Sequence, residues 1–218
     1  GMDAFAIESL TRAQRAIDDG LNQKEIAPVT IRTRRGEHTV SIDEQPHKAN
    51  LEKIPQLRPA FAENGTITPA NSSSISDGAS ALLLASEQAV ETHGLTARAR
   101  IVAHSRNSLA PEAFTLAPIG AAEDVLAKAG WTVSDVDLWE INEAFAMVTM
   151  LTMDALKLDP SCVNVHGGAC AQGHPIGSTG SRIIVTLMHA LEHYGKKRGV
   201  AALCIGGGEA TAVAIELV

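Results

Sequence analysis

The chain has 218 residues, three cysteines and a formal net charge of −7. Hydrophobic residues make up 45% of the chain and aromatic residues only 3%, so the core must be built from Ala, Val, Ile and Leu, which suits layered α/β packing. The basic residues are scattered, which argues against a nucleic-acid partner, and the spacing of the cysteines argues against a disulfide framework. No apolar run approaches the roughly 18 residues that a membrane span requires. We therefore expect a cytoplasmic globular protein.

Hydrophobic periodicity predicts the elements of the first part of the chain. Apolar residues at helical spacing predict a helix over residues 3–18 that ends at Gly20. Alternating residues around Arg35-Gly36 predict a hairpin formed by residues 28–33 and 38–42. Residues 43–76 contain many prolines and serines, so we expect them to be mostly irregular.

The character of the sequence changes after residue 77. Small residues predict a closely packed helix over residues 79–89. The elements that follow are predicted strands at 99–104, 136–141, 163–165, 200–205 and 210–217, and predicted helices at 118–129, 142–156 and 176–194. Because strands and helices alternate, we expect a largely parallel or mixed sheet with helices on its faces.

Three polar segments each follow a predicted strand, at the edge of an α/β sheet where ligands gather. They are Asn142-Glu143-Ala144-Phe145-Ala146 and Gly173-His174-Pro175-Ile176-Gly177, both predicted to open helices, and Cys204-Ile205-Gly206-Gly207-Gly208. Each segment also has a simpler interpretation: Asn142 as a helix N-cap, His174 as a loop residue, and Cys204 as a small buried hydrophobe. The three glycines leave backbone N–H groups approachable beside the thiol, which is typical of an oxyanion site.

The sequence also contains features of two other kinds of site. The glycines are not followed by Lys-Ser or Lys-Thr, so they do not form a phosphate-binding P-loop. The run His189-Ala190-Leu191-Glu192-His193 matches the zinc pattern H-x-x-E-H. It lies in the last turn of a predicted helix before Gly195, however, where histidines commonly complement the helix dipole. We therefore expect no metal and no cofactor.

These three segments, together with two others, resemble the C-terminal half of the thiolase family in order and spacing. The two others are Asn71-Ser72-Ser73-Ser74-Ile75-Ser76-Asp77-Gly78 and Asn164-Val165-His166-Gly167-Gly168-Ala169. The resemblance covers essentially the whole chain. It implies a thiolase-like α/β fold in which residues 79–218 form the C-terminal half of a duplicated core. Residues 3–78 would be the remainder of the loop domain that covers CoA.

The resemblance implies four catalytic positions. Cys204 resembles the cysteine that removes the α-proton of the second acyl-CoA and returns it during thiolysis. His174 resembles the histidine that activates the nucleophilic cysteine and, with a water held by Asn142, stabilises the enolate oxygen. Gly206 resembles the glycine whose N–H contributes to the other oxyanion hole.

The resemblance also implies substrate contacts. Ser73 resembles a serine that contacts the pantetheine arm of CoA, and Phe61 and Phe145 resemble apolar residues that line the acyl-CoA tunnel. A loop hydroxyl and two core phenylalanines are the structural alternatives. Where related enzymes often have an arginine near the CoA phosphates, this chain has Gln45-Pro46-His47-Lys48, so Lys48 is the candidate for that contact.

The sequence also departs from the family pattern. His166 stands where asparagine is usual, and Cys170 where a β-branched residue is usual. None of the three cysteines matches the family's nucleophile, which would precede Asp3. We expect a fragment of an acyl-CoA acyltransferase, inactive alone and similar to acetyl-CoA acetyltransferase. CoA thioesters would be its substrates, and a second copy or an N-terminal thiolase half its partner.

Two alternatives stay open. One is a 3-ketoacyl-CoA thiolase of fatty-acid β-oxidation, because the missing half largely shapes the acyl pocket of this family. The other is a non-catalytic module that binds acyl-CoA or another subunit, because Ser73 and Phe61 are retained while the nucleophile is absent.

Overall fold

The computed structural model describes all 218 residues, in two parts that differ in architecture. The N-terminal region, residues 1–98, contains α1 (Met2–Asp18), β1 (Val29–Thr33), β2 (Gly36–Val40), α2 (Gln45–Lys48) and α3 (Glu87–His93). The sheet unit, residues 99–218, contains β3 (Ala99–Ser108), α4 (Ala117–Ala129), β4 (Leu138–Ile141), α5 (Ala146–Leu156), α6 (Ala169–Gln172), α7 (Thr179–His193), β5 (Arg198–Cys204) and β6 (Glu209–Leu217). No helix is both long enough and apolar enough to cross a membrane.

The sheet unit is built around one mixed four-stranded sheet in the order β3-β6-β5-β4. β4 runs parallel to β5, and the other neighbours are antiparallel. α4 packs on one face of the sheet, where Val125 contacts a cluster that includes Trp139 and Ile141. α7 packs on the other face, where Leu187 joins a cluster that includes Leu138. The predicted α/β fold with helices on both faces is therefore confirmed.

Most predicted elements are present with bounds close to those expected. α1, the hairpin of β1 and β2, α4, α7, β5 and β6 all match their predicted counterparts. The hairpin is exposed along both strands. α4 ends at Ala129, and the following Gly130 adopts the left-handed conformation, with φ of 68°, that commonly terminates helices.

The helix predicted over residues 79–89 is wrong. Residues 79–85 are not helical, and the helix there is the short α3, which begins after Ser86, whose hydroxyl accepts the Ala89 N–H. Leu83 and Leu84 are 87% and 71% exposed, so this segment has no surface against which to pack. Helices of this length are marginal without such packing, whatever the propensity of their residues.

Two further predictions around the sheet edge are wrong. α5 begins at Ala146 rather than at Asn142, because the Asn142 N–H extends the sheet ladder to the Ala202 carbonyl and Phe145 keeps an extended backbone. Residues 163–165 form only an isolated bridge from Val163 to Trp139, because Asn164 adopts a left-handed conformation with φ of 47° that an extended strand does not allow.

Candidate active site

Asn142 and Cys204 leave the sheet at the same edge. β4 and β5 are parallel, with Ile141 opposite Ala202, and the Asn142 N–H donates to the Ala202 carbonyl at 2.9 Å. Asn142 therefore follows β4 at the level where β5 reaches Cys204. This is the carboxyl edge of the parallel pair, where the sequence placed both residues.

His174 lies in the loop between α6 and α7. Its Nδ1 is 2.7 Å from the Thr179 hydroxyl, which also lies 3.0 Å from the Pro175 carbonyl. The contact through Nδ1 orients the ring and leaves Nε2 as the nitrogen available to a ligand.

The serine segment, residues 71–76, joins the loops that carry His174 and Asn142. Its Ser74 carbonyl accepts the His174 N–H at 3.0 Å. At the other end, both the N–H and the hydroxyl of Ser73 donate to the Ala144 carbonyl, at 3.1 and 3.0 Å. The Ser73 hydroxyl proton is therefore used within the chain, and its lone pairs remain able to accept from a ligand.

Two groups at this edge have unused hydrogen-bonding capacity. The amide of Asn142 is buried, and neither its nitrogen nor its oxygen has a partner within the chain. Buried amides in folded proteins are nearly always paired, so an unpaired one is suited to a water or a ligand. The turn after Cys204 exposes Gly206, whose N–H makes no hydrogen bond within the chain.

A third glycine fixes that turn. Gly208 has a φ of 101°, and a Cβ at this position would collide with the carbonyl oxygen of Leu109. Only glycine fits at this position of the turn that exposes the Gly206 amide.

Both proton-carrying side chains are neutral in their resting state. Burial raises the pKa of the Cys204 thiol to about 11, and the side chain is 7% exposed. Burial lowers the pKa of His174, and the nearby guanidinium of Arg182 lowers it further. A neutral thiol can donate a proton and a neutral imidazole can accept one, so each group is suited to proton exchange with a bound substrate.

The predicted substrate-contacting residues lie in different surroundings: one borders a cavity, one is packed and one is exposed. Lys48 borders a polar cavity of about 520 Å³, together with Gly173 and Pro175 on either side of His174, and is ion-paired to Glu44 at 2.7 Å. Phe145 packs against Phe114 with 6.3 Å between ring centroids. Phe61 is 75% exposed on an irregular loop, so nothing within the chain brings it to the site.

Two buried glutamates near the site were not predicted from the sequence. Glu140 is 2% exposed within β4, and Glu143 is fully buried in the loop that follows. Glu143 accepts hydrogen bonds from the Ser9 hydroxyl at 2.7 Å and the Asn164 amide at 2.8 Å. The available signal was a charged residue inside the otherwise apolar run 138–141.

The H-x-x-E-H run is held by other contacts. Glu192 receives two hydrogen bonds from the Arg98 guanidinium, at 2.9 and 2.8 Å. His193 lies edge-on to Tyr194. Nowhere in the chain do three histidine, cysteine or carboxylate side chains converge as metal ligands do.

Two family models match the chain. The model described as the thiolase C-terminal domain matches residues 95–217, and that of the thiolase N-terminal domain matches residues 1–88. Among curated proteins, an acetyl-CoA acetyltransferase of Yarrowia lipolytica is 48% identical over 216 residues, covering 99% of this chain and 54% of that protein.

Solved structures of similar proteins superpose closely. The Bacillus anthracis acetyl-CoA acetyltransferase has a TM-score of 0.96 at 41% identity, covering the whole of this chain and 55% of that one. The human mitochondrial 3-ketoacyl-CoA thiolase in complex with CoA has a TM-score of 0.93 at 40% identity, covering the whole of this chain and 54% of that one. The chain thus spans about half the length of the proteins it matches.

Proposed function

The chain belongs to the thiolase family, and we propose that it supplies the proton-transfer and enolate-binding half of an acetyl-CoA acetyltransferase. The reaction would be Claisen condensation of two acetyl-CoA molecules, or the reverse thiolytic cleavage of acetoacetyl-CoA. One observation carries this proposal: the loops bearing Asn142, His174 and Cys204 are joined at one edge of the sheet. The Yarrowia relative and the Bacillus structure, both acetyl-CoA acetyltransferases, favour this member of the family.

Each group has a role that fits its contacts. The Cys204 thiol would exchange the α-proton of the second acyl group. The enolate oxygen would accept a hydrogen bond from the Nε2–H of His174, in the Nε2-protonated or doubly protonated ring, and from the Asn142 amide N–H, directly or through a water. The Gly206 N–H would face the developing oxyanion on the other thioester carbonyl. Loss of one such fixed donor typically costs about 3 kcal/mol of transition-state stabilisation.

The acylated cysteine would belong to a polypeptide outside these 218 residues, equivalent to the remainder of the relatives. Covalent acyl transfer has no first step without its nucleophile, and removing a nucleophile typically costs on the order of 10⁶ in rate. We therefore expect the 218-residue chain alone to be inactive. Addition of the N-terminal half of a related acetyl-CoA acetyltransferase should give thiolysis.

The test is CoA-dependent loss of acetoacetyl-CoA absorbance, with the two polypeptides purified separately and then mixed. Activity should appear only in the mixture and should vanish with Cys204→Ala. An Asp154→Asn chain, altered at an exposed position of α5, is the matched control and should match wild type. A robust rate from this chain alone, lost in Cys204→Ala and with no contaminating thiolase by mass spectrometry, would make Cys204 the nucleophile and overturn the assignment.

A 3-ketoacyl-CoA thiolase of fatty-acid metabolism is the second candidate. It is favoured by the 40% identity to the human mitochondrial 3-ketoacyl-CoA thiolase. Because the other half shapes much of the acyl pocket, the chain is mixed in turn with the N-terminal half of an acetyl-CoA acetyltransferase and with that of a 3-ketoacyl-CoA thiolase, and each mixture is assayed with 3-ketoacyl-CoA substrates of increasing chain length. Loss of activity beyond acetoacetyl-CoA in both mixtures favours the acetyltransferase, and turnover of longer substrates in both favours the 3-ketoacyl-CoA thiolase. We also propose that the protein is located in the cytosol. We propose that the chain self-associates, which sedimentation would measure.

A further inference from the structure

The chain that follows the serine segment lies across the loop of His174, and we call residues 74–80 the strap. The Ser74 carbonyl accepts the His174 N–H at 3.0 Å. The Ser76 hydroxyl occupies the space that a Cβ at Gly173 would need. The first part of the strap is therefore in direct contact with the loop.

The rest of the strap alternates between the loop and solvent. Gly78 packs against Pro175, so closely that a Cβ at position 78 would lie 2.8 Å from the proline ring. Ile75, Asp77 and Ala79 are exposed, Ile75 to 97%. Alternation of this kind is typical of an extended chain, so the even-numbered residues of the strap face the loop.

Ser80 ends the strap in a cluster of three hydroxyl groups. Its Oγ lies 2.7 Å from the Ser178 hydroxyl and 2.6 Å from the Ser181 hydroxyl. The Ser178 carbonyl is 3.0 Å from the hydroxyl oxygens of both Ser80 and Ser181. Each hydroxyl can donate one proton and accept others, so the three groups satisfy one another with this carbonyl as a further acceptor.

No other hydrogen bond attaches this part of the chain. Among residues 77–85, the Ser80 hydroxyl makes the only hydrogen bonds to the rest of the protein, and no residue there forms an ion pair. Packing does not replace them, because Leu83 and Leu84 are exposed. The Ser80 cluster is therefore the anchor of the strap on the sheet unit.

This anchor lies next to the group that contacts the His174 ring. Ser178 directly precedes Thr179, whose hydroxyl is 2.7 Å from Nδ1 of His174. The backbone N–H groups of Ser178 and Thr179 both donate to the Pro175 carbonyl, at 2.8 and 2.9 Å. The cluster therefore joins the strap to the turn that orients the imidazole.

We propose that Ser80 is a positioning residue for His174: it anchors the strap on Ser178 and Ser181, and the anchored strap holds the His174 loop and ring in one arrangement. The Ser74 carbonyl acts on the His174 backbone, and the Ser80 cluster acts on the turn that carries Thr179. This inference rests on the proposed function, in which Nε2 of His174 faces the enolate oxygen.

Amide hydrogen exchange of the ¹⁵N-labelled chain without acyl-CoA tests the anchor. Ser80→Ala should make the His174 amide exchange about tenfold faster, because opening the strap no longer breaks the hydroxyl cluster. The amide of Val200, within β5, should change by less than twofold. Ser134→Ala removes an exposed hydroxyl far along the chain and is the matched control, with wild-type exchange expected at both amides.

The His174 ring is followed by its side-chain ¹⁵N signals, assigned with His174→Gln. Ser80→Ala should broaden or double these signals, because the ring samples more than one arrangement, and Ser134→Ala should leave them as in wild type. In a chain that already carries Ser178→Ala and Ser181→Ala, adding Ser80→Ala should have a smaller effect, because the hydroxyl partners of Ser80 are gone.

A glycine pair provides a second route that leaves Ser80 intact. Gly78→Ala places a Cβ against Pro175 and should speed His174 exchange, because the strap must move away from the loop. Gly177→Ala is the matched control, since a Cβ there meets no atom within 4 Å, and it should exchange as wild type does.

Three results would overturn the proposal. The first is a His174 amide whose exchange in Ser80→Ala rises no more than that of Val200, which would mean a general loss of stability. The second is unchanged ring signals in Ser80→Ala, and the third is an equal effect of Ser80→Ala with and without the Ser178 and Ser181 hydroxyls. No turnover is measured, so the thiolysis assay and this experiment can fail independently.

Discussion

The N-terminal region and the sheet unit differ most in how much of each is buried. Nine of the first 98 residues are buried, whereas 45 of the following 120 are. The sheet unit has two clusters of 15 and eight buried residues on the two faces of its sheet. The core cluster of the N-terminal region has only four residues, and one of them, Ala171, belongs to the sheet unit.

The candidate site nevertheless depends on both regions. The sheet unit supplies Asn142, His174 and Cys204, and the serine segment of the N-terminal region ties the first two loops together. Ser9 of α1 reaches the Asn142 loop by donating a hydrogen bond to Glu143. The contacts of the serine segment and of Ser9 with the sheet unit, here called the clamp, therefore connect the weakly packed region to a site whose side chains come from the strongly packed region.

The largest expected effect comes from truncating one leucine in each region. Leu187→Ala should lower the free energy of unfolding by about 4 kcal/mol, because Leu187 is 1% exposed between α7 and the sheet and leaves a cavity in a rigid core. Leu10→Ala should cost only about 2 kcal/mol, because its small cluster can relax into the space. Urea unfolding measures both, and equal losses would contradict the contrast between the regions.

The next prediction concerns the contact between the regions. Glu143→Ala leaves the Ser9 hydroxyl, the Asn164 amide and the Cys170 N–H without their acceptor in a buried place, and should cost about 3 kcal/mol. Glu123→Ala, at an exposed position of α4, is the matched control and should change stability by less than about 0.5 kcal/mol. A Glu143→Ala loss as small as the control's would mean that the clamp contributes nothing to stability.

A third prediction concerns acid stability within the sheet unit. His166 is 1% exposed, neither ring nitrogen has a partner, and burial with nearby His193 and Arg15 lowers its pKa to about 4. The unfolded chain therefore binds a proton near pH 6.5 that the folded chain takes up only near pH 4. Stability is lost as pH falls through this window, by about 2.5 kcal/mol at pH 4.5.

His166→Asn removes this loss, so the variant should be less acid-sensitive than wild type in urea unfolding between pH 7 and 4.5. His174 and His189 also have lowered pKa values, so a smaller slope should remain. Parallel pH profiles for the variant and wild type would show that His166 is solvated or paired in solution.

The same contrast separates what the sequence predicted from what it did not. α4, α7, β5 and β6 were predicted with bounds close to those observed, because each carries a complete apolar stripe or run that it buries against its neighbours. The helix predicted over residues 79–89 was wrong because its pattern requires a packing surface that these residues do not have.

For the site, motif order gave the sheet edge and the three loops. It did not give the helix start at Ala146, because a backbone hydrogen bond from Asn142 to Ala202 extends the ladder past the strand. It also missed the contact between the Ser80 and Ser181 hydroxyls, whose residues are 101 positions apart and meet only once the strap lies on α7. Contacts of this kind are set by tertiary packing, which local periodicity does not report.

The smallest expected effect is at the exposed leucines of the N-terminal region. Leu83→Gln and Leu84→Gln should each change the free energy of unfolding by less than about 0.5 kcal/mol, because both side chains already contact solvent and lose little on replacement. Leu82→Gln, at a half-buried neighbour, should cost more. Urea unfolding at two protein concentrations is the measurement. A loss above 1 kcal/mol for Leu83→Gln that grows with concentration would mean that a second copy covers this segment, since only association makes stability depend on concentration.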